Sequence, residues 1–309
     1  MFIVPAYFDD YANALEWVIA VCGLALVGVL TFVRREAAYY AALAPVLVGS
    51  LILSRFDVWP ALLLVAALAA LLRDRDGIGW AFLGAAVAAK LWPLVVVPPA
   101  LLWSVRRGHG RAVFAGAAVA AAAFVPFLLV APDGVWHTLS SQGSRPLQVE
   151  SLGAAFLTTF GSPHVVTTHG SQNLAGHGAF GAALSAVGTL AVIAVWMAFA
   201  RGPATRDRFV RYSVAAVCAF VAFDKVLSPQ YLLWLIPLVP LVRGRRGLAA
   251  TALLTVACVL TQVWFPQRYF AYADDFELAW VVLLRDLVLV ALFAALVTTR
   301  RARGQPRTT

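Results

Sequence analysis

Apolar runs, interrupted at short intervals by arginine, proline or an isolated charge, set the pattern of this chain. Eleven runs read as membrane helices, at about 14–33, 37–53, 57–72, 79–90, 93–105, 112–131, 177–200, 209–223, 229–242, 247–265 and 278–299. At about 1.5 Å of rise per residue, the first of these covers the roughly 30 Å of a bilayer's hydrocarbon. The pairs 79–90/93–105 and 209–223/229–242 are short for spans, and each pair is divided only by an island around a lysine. One kinked helix is the alternative at each. The pattern predicts an all-α, polytopic integral membrane protein of about eleven transmembrane helices. With no internal repeat, residues 1–309 read as a single transmembrane domain with one long loop at about 132–176.

Charge orients these runs. With both lysine islands taken as turns, 18 of the 24 basic residues fall on one face and five on the other, with Arg285 inside the last run. Basic residues collect on the cytoplasmic side of membrane proteins, so the N-terminus is expected outside and the C-terminal tail 300–309 inside. Ten of the fifteen acids and four of the five histidines then lie outside, which makes that the functional face. A chain that is 62% hydrophobic and 13% charged is no soluble domain, where about 25% charge is usual. The net charge of +9 follows from span flanks, so nucleic acid is not an expected partner. Arginine supplies 22 of the 24 basic residues, a bias we read as high-GC bacterial coding. Cys22, Cys218 and Cys258 stand singly in apolar runs and read as small buried hydrophobes. The first residues hold Asp9 and Asp10 and lack the basic start of a signal peptide.

Two polar islands stand out, Ala89-Lys90-Leu91-Trp92-Pro93 and Phe223-Asp224-Lys225-Val226-Leu227-Ser228-Pro229-Gln230-Tyr231. They hold the chain's two lysines. Charge taken toward hydrocarbon loses hydration, so such islands mark candidate sites, and the two are expected to meet on the outer side.

The segments Ser54-Arg55-Phe56-Asp57-Val58-Trp59-Pro60, Ala88-Ala89-Lys90-Leu91-Trp92-Pro93-Leu94, Leu147-Gln148-Val149-Glu150-Ser151-Leu152-Gly153 and Lys225-Val226-Leu227-Ser228-Pro229-Gln230-Tyr231-Leu232-Leu233-Trp234 resemble glycosyltransferase family 87. The resemblance runs over nearly the whole chain. It implies the GT-C fold and transfer of a sugar, expected to be mannose, from a polyprenyl-phosphate donor to an envelope glycolipid or glycan. The expected setting is the outer face of the plasma membrane. It also implies that a cytoplasmic N-terminus, one span and a loop with the catalytic Asp precede this chain, which would start near the end of that loop at Phe2–Asp10.

In such a reaction an outer carboxylate deprotonates the acceptor while cations meet the charge developing on the leaving phosphate. Asp57, Glu150 and Asp224 are the candidate carboxylates. Arg55, Lys90, Arg145, Lys225 and Arg268 are the candidate phosphate partners, and Gln148, Gln230 and Tyr231 the candidate substrate contacts. Each has a plainer reading. Asp57 could cap the following helix or pair with Arg55, Glu150 could serve a helix N-terminus, and Lys225 could pair with Asp224. Arg285-Asp286 reads as an internal pair that packs helices. His137, His164, His169 and His177 lack metal-ligand spacing, so neither a metal nor another cofactor is expected. The rival classes are a transporter or flippase, or an inert truncated relative; oligomeric state is open.

Overall fold

The computed structural model describes residues 10–298. The expected loop end through Asp9 and the basic tail 300–309 lie outside the described residues.

Asp10 caps the first helix, α1 (Tyr11–Val33), by accepting from the Asn13 amide at 3.0 Å. The run expected at 37–53 is three short helices, α2 (Arg35–Ala42), α3 (Ala44–Val48) and α4 (Leu51–Ser54). Pro45 starts the second piece and Gly49, at φ +60°, ends it; a side chain disfavours that backbone. Next come α5 (Val58–Leu71) and α6 (Asp76–Ala89), then a 3-10 turn at Trp92–Val96 leading into α7 (Val97–Val105). α5 is apolar all round and almost wholly buried, as a helix at the centre of a bundle must be. α8 (Val113–Val130) crosses α6 where Gly84 meets Gly116, and a Cβ on Gly84 would overlap the Gly116 carbonyl. Small residues here let the two backbones touch.

The long loop expected at about 132–176 holds α9 (Pro132–Gly143), β1 (Leu147–Gln148), α10 (Leu152–Phe160), β2 (Val165–Thr168) and β3 (Ser171–Leu174). The strands form one antiparallel sheet in the order β1-β3-β2, with Gln148 opposite Asn173 and Thr168 opposite Ser171. This corrects the all-α expectation. Strands of two to four residues carry too little alternation to read, and the hairpin signal is confined to His169-Gly170. Both take positive φ, as a two-residue hairpin turn requires.

The bundle closes with α11 (Gly178–Ala200), α12 (Arg206–Phe223), α13 (Leu232–Leu238) between 3-10 turns, α14 (Gly244–Trp264), α15 (Tyr269–Asp275) and α16 (Ala279–Val297). Among the described residues five helices are long and apolar enough to cross a membrane alone: α1, the helix Gly110–Val130, α11, α14 and α16. Val58–Leu71, Asp76–Ala89, Trp92–Val105 and Pro229–Leu241 are shorter apolar helices. The protein is therefore a multi-pass membrane protein built mainly of helices. Lys90 and Asp224 end their helices in extended backbone, and Pro93 and Pro229 restart the chain as 3-10 turns, so the lysine islands are breaks and not kinks.

Contacts sort the polar residues to two ends of the bundle. At one end Arg34 bonds the Val242 carbonyl, Arg73 the Phe32 carbonyl and Arg106 the Gly202 carbonyl, while Arg206 pairs with Asp74. The other end gathers the lysine islands and the long loop.

Candidate functional site

Asp57 precedes α5 yet makes no capping bond. Its Oδ1 instead accepts from Lys90 Nζ and from Trp234 Nε1, both at 2.6 Å, and the residue is fully buried. The break after α6 turns Lys90 inward. Its ammonium lies 5.0 Å from the Phe56 ring centre, 5.1 Å from Trp234 and 5.8 Å from Tyr231. Trp234 is itself stacked between Trp92, at 4.6 Å, and Tyr231, at 4.0 Å. Aromatic faces are a favourable seat for a cation, and three of them help offset the hydration Lys90 has lost. The two islands thus meet through Lys90, Trp92, Tyr231 and Trp234. Asp57 Oδ2, buried, has no hydrogen-bond partner among the described residues.

The long loop is fastened beside this cage. The Gln148 amide donates to the Lys225 carbonyl and the Val149 amide to the Gln172 carbonyl, each at 3.0 Å. Two side chains from the end of the chain take the next carbonyls. Tyr272 Oη donates to Val149 O at 2.6 Å and Arg285 Nη2 to Glu150 O at 2.7 Å. Arg285 and Asp286 are fully buried, with Nε and Oδ1 2.6 Å apart in an ion pair that lacks hydrogen-bond geometry. They do pack helices, and the pair also anchors the loop. Glu150 is 2% exposed and accepts from Gln148 Nε2. Burial pushes the Glu150 carboxyl up to about 8, against the pull of Arg285 and the Gln148 bond.

A carboxyl raised in the fold stabilises it fully below its ordinary range and loses that contribution as pH rises through the raised value. Between about pH 6.5 and pH 9 the protein should therefore lose roughly 2 kcal/mol of stability through Glu150. Glu150→Gln, which keeps an acceptor for Gln148, should be flatter by that amount in a series of thermal unfolding midpoints against pH. Equal slopes would show that Glu150 does not titrate in this window.

Asp224 follows the last turn of α12 and its Oδ1 accepts from the Val226 amide at 3.1 Å. Burial pushes its carboxyl up to about 6, opposed by that bond, Lys225 and Arg145. It closes one end of an otherwise largely apolar groove of about 340 Å³ lined by Val95, Trp196, Phe220 and Phe223. Lys225 does not pair with it; Nζ donates to Gly143 O at 2.8 Å, tying the end of α9 to the break. Lys225 and Arg145 line a second cavity, of about 400 Å³, together with Thr168 and His169. Arg145 Nη2 donates to Ser171 Oγ at 3.0 Å, while its buried Nε has no hydrogen-bond partner among the described residues. Tyr231 is buried against Trp234, at the junction of the two islands.

Arg55 and Arg268 are exposed, and their side chains make no hydrogen bond or ion pair among the described residues, so Arg55 does not pair with Asp57. Gln230 is half-buried beside Tyr231. Sequence reasoning missed Trp234 and Phe56 as cage walls and Tyr272 and Arg285 as loop anchors. Trp234 carried one legible signal: a buried indole N–H needs an acceptor.

The cluster thus combines carboxylates, cations held at aromatic faces, and cavities of apolar and cationic character at one end of a membrane bundle. No curated protein and no solved structure matches the chain. The profile of glycosyltransferase family 87 matches residues 1–229, a stretch that contains Asp57, Lys90, Arg145, Glu150, Asp224 and Lys225 and ends just before Gln230 and Tyr231. On that match, covering well over half of its length, the chain belongs to glycosyltransferase family 87 and is a membrane glycosyltransferase.

Proposed function

We propose that the protein transfers mannose from a polyprenyl-phosphate donor to an envelope glycolipid or glycan, at the outer face of the plasma membrane. The observation that carries this is the break at Asp224-Lys225, where Asp224 lines a largely apolar groove while its neighbour Lys225 lines a cationic cavity with Arg145. In this reaction the acceptor oxygen forms the new bond to the sugar's anomeric carbon as the bond to the donor phosphate breaks. Asp224 takes the acceptor proton, because it is half-buried at the groove and its carboxyl ionises near neutrality. Arg145 and Lys225 hold the leaving phosphate, the first as a planar fork and the second as a point charge. Lys90, fixed by Asp57, adds positive potential from below. Gln230, Tyr231 and Gln148 contact the sugar, and Arg55 and Arg268 meet the donor at the rim. The chemistry calls on no nucleotide, metal or other cofactor.

The test is transfer of labelled mannose from synthetic polyprenyl-phosphate mannose by the purified protein in nanodiscs holding a glycolipid extract of its native membrane. A larger labelled glycolipid is expected. Transfer from a nucleotide sugar but not from the lipid donor would overturn the proposal.

A further inference from the structure

At the far end of the bundle, away from the candidate site, lies a cavity of about 280 Å³ with four arginines on its walls: Arg34, Arg73, Arg206 and Arg243. Asp207 is its one lining acid, and the rest of the wall is apolar, Phe32, Leu72, Val210 and Leu241 among it. These come from four places in the sequence, the ends of α1 and α5, the start of α12 and the turn before α14.

Part of this charge is accounted for within the fold. Arg73 caps α1 and α5 through the carbonyls of Phe32 and Ala69, and Arg34 reaches the Val242 carbonyl at 2.6 Å and Glu36 at 3.3 Å. Arg206 stands 3.5 Å from Asp74, which it shares with Arg107. Each guanidinium has five donors, so several stay free on every one of these arginines. Arg243 makes no hydrogen bond or ion pair among the described residues and acts on Glu36 only through space. It is also the residue before α14, whose first amides receive no side-chain cap. That helix end and the start of α12 add their positive dipole ends to the same cavity. Span-flanking charge explains why arginines lie at this end, but not why four from separate elements converge on one cavity with an apolar wall.

The geometry points to a binding site for a phosphate-bearing anion, held by Arg206 and Arg243 with Arg34 and Arg73 behind them. Arginine forks match phosphate oxygens, and a basic cavity between membrane helices suits a lipid head group whose acyl chains continue along the apolar wall. The phosphate could belong to an anionic phospholipid or be free in solution, and the experiment separates the two.

The full chain is purified in detergent and titrated with phosphatidylglycerol or phosphatidylcholine, with binding read by native mass spectrometry and by thermal unfolding. Inorganic phosphate against chloride at matched ionic strength forms a second series. Phosphatidylglycerol should bind and raise the unfolding midpoint well beyond phosphatidylcholine. Arg206→Ala and Arg243→Ala should each weaken it about fivefold, and together about 25-fold. The double lysine variant should recover much of the loss, which separates charge from folding, and Arg111→Ala on the same face should bind as the parent does. Variant-sensitive stabilisation by inorganic phosphate would assign the site to the free ion, and its restriction to phosphatidylglycerol would assign it to the lipid. Equal binding of both lipids with no phosphate effect, or unchanged binding by the double alanine variant, overturns the proposal.

Discussion

Replacing Lys90 with methionine should destabilise the protein by about 3–5 kcal/mol, the cost of leaving a buried partner charge uncompensated. Asp57 is that partner: fully buried, 2.6 Å from Lys90, with only the Trp234 indole as a second donor. Adding Asp57→Asn to the Lys90→Met chain should restore most of the loss, because the uncharged amide no longer needs an ion and can still accept from Trp234. Asp57→Asn alone should cost less than Lys90→Met, since the ammonium keeps three aromatic faces and partial contact with water. Denaturation midpoints of the four chains in one detergent give the cycle directly. The proposed role of Lys90 adds a second outcome: the double variant should be stable and yet transfer sugar poorly. A stable double variant with full activity would reduce the pair to a structural one.

Asp224→Asn should lower the turnover of sugar transfer by about 100-fold or more while leaving the apparent affinity for the donor within a few-fold. The asparagine can still accept from the Val226 amide, so the break keeps its shape. The pH profile is the sharper test. With its carboxyl raised to about 6, Asp224 is mostly protonated at pH 5 and mostly ionised at pH 7, so the parent's rate should climb between them. The variant's residual rate should not. The same shift acts oppositely on stability, whose Asp224 contribution is complete at low pH and fades as pH passes 6. Activity and stability should therefore move in opposite directions across this window. A variant that keeps the parent's rising profile would assign the proton to another group.

Much of this site was legible because charge is conspicuous in an apolar chain. Lys90 and Tyr231 stand in the two polar islands, and they come together because the same prolines that break the hydrophobic pattern restart the chain there. Direction was less legible. Composition cannot tell which way an outer cation turns, and Arg55 and Arg268 face outward while Arg145 turns in. Glu150 was recognised as a loop acid, but its burial depends on Tyr272 and Arg285, more than 100 residues away. Strands of two to four residues in the long loop have no period to detect, and the run at 37–53 conceals a Gly49 break behind uniform hydrophobicity.

Arg285 also bears on how the chain is made. α16 leaves the ribosome after every other described helix, and it carries a charge that costs about 2.5–3.5 kcal/mol at the centre of a membrane helix during insertion. Asp286, its neighbour, offsets part of that cost from the outset. The carbonyl that Arg285 Nη2 reaches, Glu150 O, belongs to a segment synthesised 135 residues earlier. Synthesis of this loop segment thus precedes the arrival of its clamp, and insertion of α16 locks a loop that has been waiting for it. Chains released before α16 should reach the membrane with that loop unfastened, which makes them natural substrates for membrane quality-control proteases.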